Sequence, residues 1–436
     1  MAKVVIKSEK IMPYGGIYFA IGQFKRHFAG EIDRHLGLRC RLVGYQYSEI
    51  VMAMMCNFLC GGDRTEDLYN CREGIGYAPG LGLCSPDTVL RGIAELTEAD
   101  TVYSSASGGT YRFNTAERLN GLPVRLAVRS GQLVPGREYD LDFDHEFGKA
   151  EKWDAKWTYK GMRGYSPGIA ILTDVITGDE VIVGVENRDG NTPVKFRQQD
   201  TLLRIIFNLA EQGIRIRYAR MDCGSYSREV VRLLLEHCRH ILIRAEMSAA
   251  LREELERPQV WRRAEVGGIA TETTSVPFTA FGHDAPNCRL VVQRTPKPQG
   301  PEQDIFEFDR YTYRAILTNN NQSSERSVIE RYNKRGAKER DIDQLNNDFG
   351  WHYLPKSEMG QNAAFMLLSA IIFNFYRWLL KDKALRGFGV NTRTRLKAFL
   401  NRFIAVPAKW TTSGRQRILN LYTHNRQYQA VFTQYG

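Results

Sequence analysis

The chain has 436 residues, 43% of them apolar and 25% charged, so it can bury a large core and is long enough for more than one domain. Its most apolar stretch, 363–380, is interrupted by Ser369, Asn374 and Arg377 and reads as a buried helix, which excludes a membrane-spanning role for it. The net charge of +11 is concentrated: from Lys381 onward eleven Lys/Arg face the single acid Asp382, so this segment alone carries +10 and predicts a polyanionic partner, nucleic acid ahead of a membrane surface, or else a solvated basic tail.

Residues 1–135 lean helical. Tyr47 to Leu59 is an apolar helical run, Thr65-Glu-Asp-Leu predicts a capped helix start with acids in its first turn, and Ser85-Pro-Asp-Thr predicts a second capped helix. The glycines at 74, 76, 80 and 82 place a loop between them. This order loosely matches a helix-turn-helix and makes 1–135 a candidate DNA-binding domain. Cys56, Cys60, Cys71 and Cys84 lack regular metal-ligand spacing. With the other four cysteines they read as buried free thiols in a reducing compartment. The N-terminus shows no long apolar segment followed by small residues, so no secretory signal is expected.

From about residue 137 the pattern changes to alternation. Tyr139, Leu141 and Phe143 point one way, and Asp140, Asp142 and Asp144 the other. A hairpin follows, 168–175 and 181–185 around Thr177-Gly-Asp. Then come a helix over 193–210, a strand ending at Met221-Asp222, a helix over 227–237 and a strand at 241–243. Three meander strands followed by alternating helices and strands predict a mixed sheet covered by helices, over 136–245. Residues 246–317 begin helical and become strand-rich (271–281, 288–293, 306–317), as an insertion would. The core resumes over 318–380, and 381–436 is the basic tail.

Two acids close strands, Asp144 and Asp222. Strand parity puts Asp222 with Ile214 and Ile216, toward the core, unless the strand bends or ends there. In the later stretch Tyr332-Asn-Lys-Arg335-Gly-Ala-Lys-Glu339, a helix would place Tyr332, Arg335 and Glu339 on one face. Three converging carboxylates with water and substrate phosphate suit Mg²⁺, and two such ions serve phosphodiester displacement. Read singly, each is ordinary: Asp144 and Asp222 as turn acids, Glu339 as a solvated helix carboxylate, Tyr332 as a half-buried aromatic.

Taken in order, Leu141-Asp-Phe-Asp144, Tyr159-Lys-Gly, Gly164-Tyr-Ser-Pro167, Gly190-Asn191, Arg220-Met-Asp222-Cys-Gly-Ser-Tyr226, Leu317-Thr-Asn319 and the Tyr332–Glu339 stretch resemble the DDE transposases of bacterial insertion sequences. The likeness is to the branch with a Tyr-x2-Arg-x3-Glu-x6-Lys signature and covers about residues 50 to 415. It implies an α/β ribonuclease-H-like core with a β-rich insertion before the Glu. It implies that Asp144, Asp222 and Glu339 are the catalytic, metal-binding triad, holding Mg²⁺ or Mn²⁺, with Asp142 the rival for the first place. Tyr332 and Arg335 then contact the phosphates of the transposon end. The signature's Lys falls at Asn346, which can hydrogen-bond DNA but adds no charge, so Lys338 or the basic tail is expected to supply it. The implied partners are double-stranded terminal inverted repeats and target DNA, bound by a homodimer in the cytoplasm of a prokaryote, at the nucleoid. The implied reaction is cut-and-paste transposition. Two other readings remain, a DNA-binding relative that has lost catalysis and a metal nuclease that cuts without joining.

Overall fold

The computed structural model describes residues 2–40, 44–158, 160–257, 259–297 and 310–434. Tyr159, and the start of the strand expected over 306–317, lie outside them. Two N-terminal helices, Ile17–Phe24 and Gly30–Leu36, open the buried part of the chain, and helix α1 (Tyr47–Leu59) follows with nearly all of its residues enclosed. Helix α2 (Pro86–Glu95) is capped by Ser85, whose hydroxyl accepts from the Thr88 amide. The two helices expected on either side of the glycine loop are present, the first as a 3₁₀ turn at Thr65–Leu68 running into a short helix, Tyr69–Ile75, the second as α2, whose exposed side carries Arg91 between Asp87 and Glu95.

A hairpin missed by the sequence reading follows, β1 (Thr101–Ser104) and β2 (Thr110–Asn114). The mixed sheet continues with β3 (Glu138–His145), β4 (Gly168–Asp174) and β5 (Glu180–Arg188). Helix α3 (Gln198–Glu211) leads to β6 (Arg215–Met221), and α4 (Arg228–His237) to β7 (His240–Arg244). Strands β8 (Arg262–Val266), β9 (Ile269–Pro277), β10 (Arg289–Pro296) and β11 (Tyr311–Thr318) form the expected β-rich insertion, and they extend the same sheet. Eleven strands run in the order β1-β2-β5-β4-β3-β6-β7-β11-β10-β9-β8. Within it, β5-β4-β3 is an antiparallel meander, and β6 and β7 add in parallel beside β3. This is the ribonuclease-H-like arrangement.

Beyond β11 come α5 (Glu325–Asn333), a 3₁₀ turn over Lys334–Lys338, α6 (Glu339–Asp348) and α7 (Met359–Leu379). By length and composition α7 could cross a membrane, but 89% of its apolar window is buried among other helices and the sheet. It crosses β5, whose first half lacks a strand partner on its outer side. Side-chain amides take that place. Asn374 bonds both the N–H (2.9 Å) and C=O (2.7 Å) of Ile182, and Asn120 does the same for Val185 at 3.0 Å each. A buried sheet edge is thereby satisfied without another strand.

The segment expected as a basic tail is folded. Phe388, Phe399, Phe403 and Tyr428 stack on one another and on Phe19, and strands at Ala408–Ser413 and Gln416–Leu421 pair with each other. Its arginines and lysines sit on the outside of a packed lobe. The N-terminal helices, α7 and this lobe share one continuous apolar core, so packing does not break at residue 135 or at 381.

Candidate active site

The decisive local feature is a β-bulge. β3 and β6 pair in parallel as Tyr139–Ile216 and then Asp140–Tyr218, so Arg217 is an extra residue on β6. One extra residue reverses which side each later side chain faces. Before the bulge Ile214 and Ile216 point into one core; after it Ala219 and Met221 do, while Tyr218 turns to the opposite face. Arg220 and Asp222 follow Tyr218. The parity conflict at Asp222 is thereby removed, and Asp222 joins Asp140, Asp142 and Asp144 on one face. Phe143 lies opposite Met221, so Asp144 and Asp222 are the next residues at the ends of neighbouring parallel strands.

The three aspartates of β3 then separate by depth. Asp142 is 3% exposed and accepts from Nε and Nη2 of the equally buried Arg220, at 2.8 and 2.6 Å. Asp140 stands 3.5 Å from the same arginine. Asp144 keeps 38% of its side chain exposed, and Arg335 reaches it at 2.6 Å. Of the two rivals for the first metal position, Asp142 is spent inside the fold and Asp144 is accessible.

Burial raises the proton affinity of Asp144, Arg335 pulls it back, and the Asp222 carboxylate raises it again. The same aspartates hold the half-buried Arg335 firmly charged against the cost of its burial. Tyr332 lies in this field too. Its hydroxyl pKa is pushed up first by burial, while Arg335 and Arg244 lower it and Asp222 and Asp144 raise it. Its ring packs on the small cluster of Tyr218, Val328 and Ile329 that seats α5 on the sheet. Arg335 retains one buried donor, its Nε–H, with no acceptor among the described residues.

The signature stretch is not one helix. α5 ends at Asn333, the 3₁₀ turn carries Arg335 and Lys338, and α6 starts at Glu339. Tightening by this turn still brings Asp144, Arg335, Glu339 and Ile342 to the lining of one small cavity. Glu339 is exposed at its rim. Glu146, two residues past Asp144, was missed by sequence reading. Its carboxyl is raised first by burial; Lys160 opposes this, and Asp144 and Glu339 add to it, so it sits among the site acids. The alternation of β3 ends at Asp144 and gave no signal for it.

Lys338 corrects an expectation. It is 5% exposed, and its ammonium donates to Thr173 Oγ1 at 2.6 Å and to Glu180, with Asp142 at 3.6 Å. A side chain so enclosed supplies no charge to DNA. Asn346 lies on α6, half-buried, seven residues beyond Glu339.

The donor chemistry suits a hard divalent cation, since every nearby acid offers oxygen and none is a thiolate. Among the described residues, no three His, Cys, Asp or Glu side chains stand close enough to hold a metal together. Arg335 supplies the counter-charge at Asp144 in their arrangement.

The family model of the transposase DDE domain group 1 matches residues 39–435. No curated protein matches the chain. Among solved structures, it is similar to piggyBac transposase in a cryo-EM synaptic complex with hairpin DNA, at 13% identity over 89% of this chain and 79% of that one, with a TM-score of 0.43. The family match takes in the strand ends bearing Asp144 and Asp222, the turn bearing Arg335 and Glu339, and the packed C-terminal lobe, and on it the chain belongs to the transposases with a group 1 DDE domain.

Proposed function

We propose that this transposase binds the terminal inverted repeats of its element, cuts the DNA ends and joins the 3′-hydroxyls to target DNA. The observation that carries the reading is the pairing of Asp144 and Asp222 at the ends of adjacent parallel strands, on the face reached by Arg335 and Glu339. Asp144, Asp222 and Glu339 would hold Mg²⁺, or Mn²⁺ in its place, with Glu146 as a nearby fourth carboxylate. Bound there, the metal would supply charge neutralisation and an activated oxygen nucleophile. The chain's own residues position. Arg335 offers its unpaired Nε–H and a fork suited to a phosphate, and Tyr332 offers a hydroxyl beside it. Phosphoryl transfer asks mainly for such placement and charge balance. A homodimer on paired ends is the expected working form.

A second reading rests on the Arg335–Asp144 ion pair, which a DNA-binding relative without cleavage would also keep. Excision separates the two. A plasmid carrying a marker between the gene's own flanking sequences is incubated with protein and Mg²⁺, beside Asp222→Ala. Release by the wild type alone supports the transposase; flanks bound but never cut would support the inactive relative. Joined product then separates a transposase from a nuclease that only cuts.

A further inference from the structure

The β-bulge that turns Asp222 toward the site leaves one residue of β6 with no partner on β3, Arg217, and the proposed cleavage chemistry does not use it. Arg217 lines a cavity of about 670 Å³ with Tyr218, Arg239, His240, Arg331 and the loop after β11, 319–323. The cavity sits at the far end of the strands that carry the site acids. Asp140 stands opposite Tyr218 and Asp144 follows four residues on, so the two places are about 13 Å apart along β3, at about 3.3 Å per residue.

The cavity is built on a fixed floor. Tyr218 is 3% exposed, and the guanidiniums of Arg331 and Arg217 lie over its ring at 4.5 and 5.5 Å, with the His240 ring at 4.9 Å. The Asn320 amide donates to the Tyr218 hydroxyl at 2.6 Å, and its Oδ1 accepts from the amides of Gln322 and Ser323, which ties the loop to the ring. Two acids adjoin the cavity, and both are engaged: Glu138 pairs with Arg239 at 3.1 Å, and the buried Asp140 lies 3.5 Å from Arg220. Among the described residues, neither Arg217 nor Arg331 forms an ion pair. Burial first, and then Arg239, Arg217 and Arg331 against Asn319, hold the His240 imidazole below its usual proton affinity, so all three charges act around one point.

Like charges brought this close repel, and a cation over an aromatic ring gains only about 0.5–1 kcal/mol at an exposed site. An anion in the cavity would offset that repulsion. Guanidinium forks match the oxygens of a phosphate. The Tyr218 ring is already covered, so it leaves no aromatic face for a base, and the cavity reads charge. We propose that it binds a phosphate group, as a second phosphate site on the sheet face of the carboxylates and independent of any metal. The phosphate comes from a DNA backbone or from a free polyphosphate. Only the DNA source rests on the transposase reading.

The test uses the full chain in EDTA, so that no metal at the carboxylates contributes. The probes are inorganic tripolyphosphate and a duplex of unrelated sequence, with chloride as the ionic-strength control. Phenylglyoxal modifies accessible arginines, and mass spectrometry reads each one. One probe or both, at about ten times its Kd, is expected to slow modification of Arg217 and Arg331 about tenfold beyond the chloride control. Shielding by tripolyphosphate alone identifies a free phosphate as the ligand; shielding by the duplex identifies the backbone. Arg217→Gln/Arg331→Gln should bind the shielding probe about tenfold more weakly, and for the duplex the slope of log affinity against log salt should fall by about 1 to 2. The double Lys variant should keep most of that slope. Unchanged modification of Arg217 and Arg331 with both probes overturns the proposal; if the duplex then shields Arg335 alone, the transposase reading stands. A folded Gln double variant that binds both probes as the wild type does overturns it too. The shielding is read on the wild type, so it decides the matter even if the variant folds poorly.

Discussion

Asp142 and Asp144 are the same residue type on the same face of the same strand, and they live in different regimes. Asp142 lies in a buried layer of alternating charge that runs through Arg220, Lys338 and Glu180 to Arg377. Asp144 lies one step further along, in a half-open layer with Asp222, Arg335 and Glu339. In the lower layer every charge has an opposite neighbour, and the geometry is fixed. In the upper layer the acids outnumber Arg335, and Asp222 raises the proton affinity of Asp144. A site that has to receive a cation and a phosphate needs that imbalance, and the lower layer holds the platform on which it is displayed.

The sharpest way to break the comparison is one substitution in each layer. Asp222→Ala is expected to reduce excision by a thousandfold or more, about 4 kcal/mol of barrier. Its contacts within the fold are slight, a long 3.5 Å approach from the Ser225 hydroxyl, so unfolding should move by no more than about 0.5 kcal/mol. Excision that persists would remove Asp222 from the proposed triad. Asp142→Ala should do the reverse, costing about 3–5 kcal/mol of stability by removing the bidentate partner of buried Arg220. Denaturant unfolding measures it. A midpoint close to wild type would mean that the lower layer is not the platform described.

The core strands were legible because alternation survives in β3 and apolar runs in β4, β5 and β7. The site was legible only in part. Strand parity sends Asp222 inward, and nothing in Arg215–Met221 marks Arg217 as a bulge; the partner strand decides it. Lys338 reads as one more cation on a basic turn, and only the fold brings Glu180 and Asp142 around it. The C-terminal lobe was hidden by its charge. Phe399, Phe403 and Tyr428 are too widely spaced among arginines for a tail to look like a core, and they find their partner, Phe19, at the other end of the chain. The short strands between β3 and β4, Gly148–Lys149, Lys156–Trp157 and Arg163–Tyr165, were missed because two or three residues leave no period to read.

Two smaller effects sharpen the comparison within the upper layer. Arg335→Ala should weaken binding to the element's ends by about tenfold to hundredfold, the range of a charge-assisted contact to phosphate. Lysine should restore little of it, because it lacks the fork. Equal affinity for ends before and after the change, measured by competition against unrelated duplex, would mean that Arg335 serves only Asp144. The last test asks whether Asp144 is held against its own preference. Its folded-state proton affinity is raised above that of an unfolded aspartate, so what the carboxyl contributes to stability is fully present below about pH 4 and is lost as the pH rises through the raised value. In EDTA at neutral pH, Asp144→Asn should therefore raise the melting temperature slightly, a stabilisation of less than about 1 kcal/mol given the solvent screening of a carboxyl 38% exposed. The gain should close as the pH falls below the ordinary carboxylate range, where the wild type is protonated folded or unfolded. Mg²⁺ should reverse the order at neutral pH, stabilising the wild type and not the variant. If Asn destabilises in EDTA at neutral pH, the Arg335 ion pair outweighs the repulsion from Asp222, and the upper layer is balanced as the lower one is.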